Sequence, residues 1–138
     1  MSQSIFLPVS EVMTRDPQRI EGLATVQQAL ERMSAHNISS LVVERRDDQD
    51  EFGLLLVADI AREVIGRSRP VSRTSVYEVM IKPAPAVDAD MNIKYAIRYM
   101  SRLGLSHCIV LHARELVGLV TLRDMALRFV AMSDTPAR

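Results

Sequence analysis

Val9-Ser10-Glu11-Val12-Met13 returns 67 residues later as Val76-Tyr77-Glu78-Val79-Met80, and the fold follows from that repetition. The same offset pairs Ile20 with Val87, Val26 with Ile93, Ala29 with Ala96, Leu30 with Ile97, Met33 with Met100, Ser39 with Ser106 and Val43 with Val110. After Val43 the first copy carries nine residues before Gly53, and the second carries seven between Val110 and Gly118. The offset then becomes 65, aligning Gly53-Leu54 with Gly118-Leu119 and Asp59-Ile60-Ala61 with Asp124-Met125-Ala126. A short difference in a polar stretch is what a surface hairpin tolerates, because loop length costs little free energy.

Periodicity changes in the same order within each copy. Val26, Ala29, Leu30 and Met33 follow the i, i+3, i+4, i+7 spacing of an amphipathic helix, as do Ile93, Ala96, Ile97 and Met100. Thr25 and Gln28 make a capping-box pattern at the first helix, and Asn92 holds the equivalent cap position in the second. Short apolar runs follow at 41–43 and 108–111, then a polar turn, then 53–57 and 118–122, which predicts a hairpin. A second helix is expected over about 59–65 and 121–131. The organisation predicted is repeat 1 over 9–65, a linker over 66–75 without apolar period, repeat 2 over 76–131 and a flexible C-terminal tail over 132–138. A unit of this size is marginal alone, so the copies are expected to share a core as one pseudo-symmetric α/β (α+β) body of two β-α-β-β-α repeats with two related clefts.

Composition narrows the function classes. Among 138 residues, 17 Lys and Arg balance 17 Asp and Glu, so the chain lacks the basic excess that favours nucleic acid. With no Trp, three Phe and three Tyr, platforms for stacking bases are scarce and the core must be aliphatic. Cys108 is the single cysteine, which argues for a reducing compartment and against a structural zinc site. The longest apolar stretch, 54–58, is far below the ~20 residues of a membrane helix, and the start of the chain lacks a signal-peptide pattern, so a cytoplasmic protein is expected. His36, His107 and His112 offer no close pair at metal-ligand spacing, and no metal site is expected. Cys108 falls in an apolar run and reads as a buried, inert thiol. The charged residues Arg45, Arg46, Asp47, Asp48, Asp50 and Glu51 read as a solvated hairpin tip. No nucleophile with base and orienting acid is assembled, so an enzyme is not expected.

The segment with most chemical promise is Gly118-Leu119-Val120-Thr121-Leu122-Arg123-Asp124, a strand ending in a hydroxyl with a carboxylate three positions on, at a helix start. Two readings stand. Thr-x-x-Asp is close to a capping box, in which Thr121 satisfies backbone N–H groups and Asp124 opposes the positive helix end. The same geometry suits a nucleotide, since a helix N-terminus attracts phosphate and a carboxylate accepts from both ribose hydroxyls.

The duplicated arrangement of Val-Met, amphipathic helix, apolar run, Gly-hydrophobic and Asp resembles a tandem pair of cystathionine β-synthase (CBS) domains, a Bateman module, over about residues 9–130. The resemblance implies a paired β-α-β-β-α fold, a regulatory and not catalytic role, no catalytic cofactor, and clefts that bind AMP, ADP, ATP, NAD or S-adenosylmethionine. Carried onto this chain, it makes Asp124 the acceptor for the ribose diol and Thr121 the hydroxyl contacting ribose or phosphate. It places Thr14, Ile38 and Ser39 around the adenine, and His107 and the weaker candidate Arg123 near phosphate. His107 also reads as an ordinary half-exposed strand histidine. The first copy departs from the pattern, with Leu56 where the second has Thr121. Asp59 therefore marks a weaker second site or merely a helix cap, and one ligand per chain is expected. The resemblance further implies a homodimer through the helices around 60–65 and 125–130. With no effector domain attached, a separate, unidentified effector protein would read the signal. The rival expectation is a ligand-free dimerisation or interaction scaffold of the same fold.

Overall fold

In the computed structural model, which describes residues 6–133, the first copy runs β1 (Thr14–Arg15), β2 (Arg19–Ile20), α1 (Val26–His36), β3 (Ser40–Val43), β4 (Gly53–Leu56) and α2 (Val57–Ile60), the last continuing as a π-helical segment, Ala61–Ile65. The second copy runs β5 (Ala86–Asp88), α3 (Ile93–Leu103), β6 (His107–His112), β7 (Glu115–Thr121) and α4 (Leu122–Ser133). The expected mixed α+β order is therefore present in both copies, with β1 as an added short strand. Of the expected tail, Met132 and Ser133 close α4, and 134–138 lie outside the described residues.

Both long helices begin where their caps predict. The Thr25 hydroxyl accepts from the Gln28 N–H at 3.1 Å and the Gln28 side chain accepts from the Thr25 N–H at 2.9 Å. Asn92 accepts from the Lys94 N–H at 3.2 Å. Each such cap contributes about 1 kcal/mol by satisfying an N–H that the helix itself cannot. The far ends close through left-handed residues, Asn37 at φ 53° and Gly104 at φ 68°. Strands order β1-β7-β6-β5 in one sheet and β2-β3-β4 in the other, with β2–β3 and β5–β6 parallel and the hairpins β3–β4 and β6–β7 antiparallel.

The compact units do not follow the sequence repeats. One unit comprises the described residues 6–16 and 86–133, and the other comprises 17–85. Each copy's Val-Met segment thus packs with the other copy's helix and strands. In one unit the Val9 N–H donates to Met91 O at 2.8 Å and the Ser10 N–H to Ala89 O at 3.0 Å; in the other the Val76 N–H donates to Ala24 O at 2.8 Å and the Tyr77 N–H to Gly22 O at 3.0 Å. These are the same two bonds at the repeat offset. Val9 is buried with Val87, Ile93, Ala96 and Val120, while Val76 is buried with Ile20, Val26, Ala29 and Leu55. Each of these two buried clusters includes the leading segment of the other copy.

Two polar stretches are more ordered than their composition suggested. Within 66–75, Val71–Arg73 forms a 3-10 turn, and Thr74, 2% exposed, accepts at its carbonyl from the Val26 N–H at 2.8 Å, so this connection is part of the unit 17–85. At the β3–β4 tip, Asp50 accepts from Arg46 Nε at 3.1 Å, from the Arg46 N–H at 2.9 Å and from Lys82 Nζ at 2.8 Å, while Arg45 lies 4.8 Å over the Phe52 ring. The Arg46 and Lys82 hydrogen bonds hold the Asp50 carboxyl well below the usual carboxylate range. The tip is a hydrogen-bonded network and not merely a solvated one.

Gly118 and Gly53 are where the exchanged segments cross the hairpins. A Cβ on Gly118 would overlap Met13 Sδ and lie 2.8 Å from Met13 Cγ and 2.9 Å from the Thr14 carbonyl oxygen. On Gly53 it would lie 2.7 Å from Met80 Sδ and 3.1 Å from Val43 Cβ. A methionine tip can swing aside and a backbone carbonyl cannot. We expect Gly118→Ala to destabilise by about 1–3 kcal/mol in urea unfolding and Gly53→Ala by less. Met13→Ala combined with Gly118→Ala is expected to recover part of the loss, the mark of a direct contact in a double-mutant cycle.

Candidate functional site

The alternation of β6 and β7 decides which side chains can meet. Cys108, Val110 and Val120 point into the core of their unit and are fully buried. His107 and Thr121 are register partners on the opposite face, and Thr14 on the edge strand β1 faces Leu119, one pleat from Thr121. The structure therefore brings Thr14, His107, Thr121, Arg123 and Asp124 into one unit, all but Thr14 at the β6 start and the β7–α4 junction. Ile38, Ser39 and Asp59 belong to the unit 17–85, where they sit at the matching positions of the first copy.

Helix α4 begins directly from β7 with no intervening loop. The Leu122 N–H donates to the Ser106 carbonyl at 3.1 Å, and the Asp124 N–H donates to Thr121 Oγ1 at 3.0 Å. The helix-cap reading of Thr121 is thus realised, but it uses the oxygen only as an acceptor. A hydroxyl that accepts still has its own proton to donate, so capping and ligand contact are compatible. Asp124 is half-buried, with its carboxylate 3.5 Å from the largely exposed Arg123 guanidinium. That loose, solvated pair leaves the carboxylate oxygens with acceptor capacity.

His107 is half-buried, and burial lowers its pKa despite the opposing pull of Asp124. The ligand-free chain therefore favours the neutral imidazole at this position. Its Nδ1 lies 2.7 Å from the Ser106 hydroxyl. Ser106 is the counterpart of Ser39 at the repeat offset, and that register is the signal in the sequence that points to it. Cys108 is fully buried and desolvation pushes its thiol up to about 11, which agrees with an inert residue.

The first copy repeats the backbone and not the chemistry. The Val57 N–H donates to the Ser39 carbonyl at 2.9 Å, as Leu122 does to Ser106. Leu56 supplies no hydroxyl, Ser40 replaces His107, and Asp59 is held at 2.5 Å by Arg62 on the next turn of its own helix. Of the helix faces expected to pair subunits, Ile60, Val64 and Met125 are buried within their own units, while Ile65, Leu127, Phe129 and Met132 are exposed. Among the described residues no helix is long and apolar enough to cross a membrane.

Comparison with known proteins agrees with this architecture. The family model described as CBS domain matches residues 9–66 and 76–130. An uncharacterized 33.4 kDa protein from a ribosomal RNA operon of Thermofilum pendens is 25% identical over 130 residues, covering 87% of this chain and 43% of its own length, so the chain spans under half of that relative. The hexameric CBS-CP12 protein from bloom-forming cyanobacteria is 26% identical with a TM-score of 0.89, over 96% of this chain and 74% of that one. The CBS domain pair of protein MJ0100, solved with 5'-methylthioadenosine and S-adenosyl-L-methionine, is 20% identical with a TM-score of 0.79 over 93% of this chain and 99% of that one, a likeness of fold.

The half-buried imidazole predicts a pH signature. With its folded pKa below the unfolded value of about 6.5, His107 binds fewer protons in the folded state, so stability is present above that value and declines as pH falls through the window beneath it. The melting temperature is expected to drop as pH is lowered from about 7 to 5.5, and the drop is expected to be smaller in His107→Gln.

Proposed function

The chain belongs to the CBS-domain family, and on that premise we propose that it is a regulatory protein whose second-copy carboxylate, Asp124, grips the ribose of an adenosine-containing ligand and whose bound state is read by a separate effector protein. The observation that carries this is the pairing of Asp124 with Thr121 at the β7–α4 junction: two acceptor oxygens beside a hydroxyl that caps the helix through its oxygen and retains its proton. A ribose diol offers two donors to the carboxylate and an acceptor to the hydroxyl, so both partners of the site are complemented. Ser106, whose carbonyl accepts from the Leu122 N–H, and Thr14 on the neighbouring strand β1 add hydroxyls in the same unit. The ligands in view are AMP, ADP, ATP, NAD and S-adenosylmethionine. That the MJ0100 pair was solved with two adenosine compounds supports the class on this fold. A regulatory ligand of this kind acts only by binding two arrangements of the protein with different affinity. The reading includes no catalysis and a cytoplasmic setting.

The matching position in the first copy has Asp59 tied to Arg62 and lacks a hydroxyl, so one ligand per chain is the reading. Calorimetry and thermal shift with AMP, ATP, NAD and S-adenosylmethionine test it. At least one is expected to bind with unit stoichiometry and raise the melting temperature. Asp124→Asn is expected to weaken that binding about 10-fold or more, the cost of a charged hydrogen-bond acceptor, while Asp59→Asn leaves it nearly unchanged. Absence of any shift at millimolar ligand would overturn the reading.

A second reading, self-association, is favoured by the outward apolar side chains of α4. Leu127, Phe129 and Met132 are 54%, 40% and 40% exposed, an unusual concentration of apolar surface on one helix of a soluble domain. Sedimentation is expected to show a dimer that Leu127→Glu with Phe129→Glu converts to monomer, with the melting profile of the monomer otherwise intact.

A further inference from the structure

The end of the second-copy sheet opposite Asp124 holds a group of side chains that the regulatory reading does not use. Asp88 ends β5, Asp90 stands in the turn that follows, and His112 ends β6; one ligand atom from each lies within 4.8 Å of the others. Their backbone is fixed. Asp88 is the register partner of Leu111, the buried Ala89 donates its N–H to Leu111 O at 2.9 Å, and the Met91 N–H donates to Asp88 O at 3.1 Å. All three side chains are exposed, and among the described residues neither carboxylate forms an ion pair with Lys or Arg.

The duplication supplies an internal comparison. At the repeat offset the three positions are occupied in the first copy by Glu21, Leu23 and Arg45. There a permanent cation, held 4.8 Å over the Phe52 ring, stands at the imidazole's position, with one carboxylate and one apolar side chain at the other two. The second copy has exchanged the guanidinium for imidazole and the leucine for a second carboxylate. At these three positions the second copy therefore carries two carboxylates and no fixed cation, where the first carries one carboxylate and one guanidinium. The exchange also turns a set with one possible ligand into a set with three.

We propose that Asp88, Asp90 and His112 bind a divalent transition-metal ion, zinc in the first instance. An imidazole nitrogen with two carboxylate oxygens is a donor set that zinc accepts in tetrahedral geometry, whereas calcium and magnesium prefer oxygen alone. Bond lengths of about 2.1 Å place tetrahedral donors roughly 3.4 Å apart. The donors lie within 4.8 Å of one another on exposed side chains, so the approach to that spacing is asked of side chains on a hydrogen-bonded backbone. Three protein ligands leave a coordination position for water or for a group on another molecule. This departs from the expectation drawn from the sequence, where the spacing of the histidines and the single cysteine argued against a metal.

Titration of the metal-stripped chain with zinc chloride against a competing chelator tests the site. One zinc per chain is expected, with His112→Gln and the pair Asp88→Asn with Asp90→Asn each weakening affinity at least about tenfold, the scale seen when a site's ligand shell is disturbed. His36→Gln is expected to leave it unchanged. Asn at 88 still accepts from the Asp90 N–H as Asp88 now does at 3.2 Å, so the turn survives, and matching metal-free melting curves confirm it. The imidazole ring protons of His112 are expected to shift in the NMR spectrum on zinc addition. Failure of the intact chain to bind zinc saturably, or equal affinity in the intact chain and both variants, would overturn the proposal.

Discussion

The contact between a methionine and a glycine of the other copy organises this protein. Met13 crosses β7 at Gly118, and Met80 crosses β4 at Gly53, each four residues after a fully buried valine, Val9 or Val76. A side chain at either glycine would occupy the space of the methionine, so the smallest residue and a flexible, polarizable one are matched across the crossing. The docking of each leading segment then follows from two backbone hydrogen bonds and one buried valine, repeated at both places. A copy of under sixty residues buries too little surface to be stable by itself, and borrowing a segment extends its core.

Duplication copied the backbone more faithfully than the surface. Helix caps, left-handed helix ends, and the bond from the first helical N–H to the serine before the hairpin recur in both units. Side chains at the strand ends have diverged. At one end of the sheet Thr121 and His107 correspond to Leu56 and Ser40 of the first copy; at the opposite end Asp88, Asp90 and His112 correspond to Glu21, Leu23 and Arg45. In β6 the divergent His107 lies on the face opposite Cys108 and Val110, so its exchange leaves that packing in place. It is there that two halves of one architecture can acquire different chemistry.

Much of this was legible in the residues. Thr25 with Gln28 and Asn92 announced their helices because an N-cap is a local interaction between neighbours in sequence. The hairpins and the Thr121-x-x-Asp124 geometry were legible for the same reason. The buried environment of His107, its approach to Ser106, and the tie between Asp59 and Arg62 were not. The hairpin tip looked like free charge because Lys82, which closes on Asp50, is far away in sequence. The stretch 66–75 looked like a linker because its polar composition hides Thr74, buried by bonds to residues that no local pattern connects to it.

The amino-acid sequence by itself determined that the chain is a doubled β-α-β-β-α unit and where its two long helices begin, since each of these depends on short-range spacing or on self-similarity. Only the tertiary structure decided that the two compact units exchange their leading segments, because the sequence offset relates equivalent positions and says nothing of which copy a segment packs against. It also decided the company kept by His112: Asp88 and Asp90 reach it through parallel pairing of β5 with β6, and parallel neighbours are joined by a whole crossover helix that carries their partners far apart along the chain.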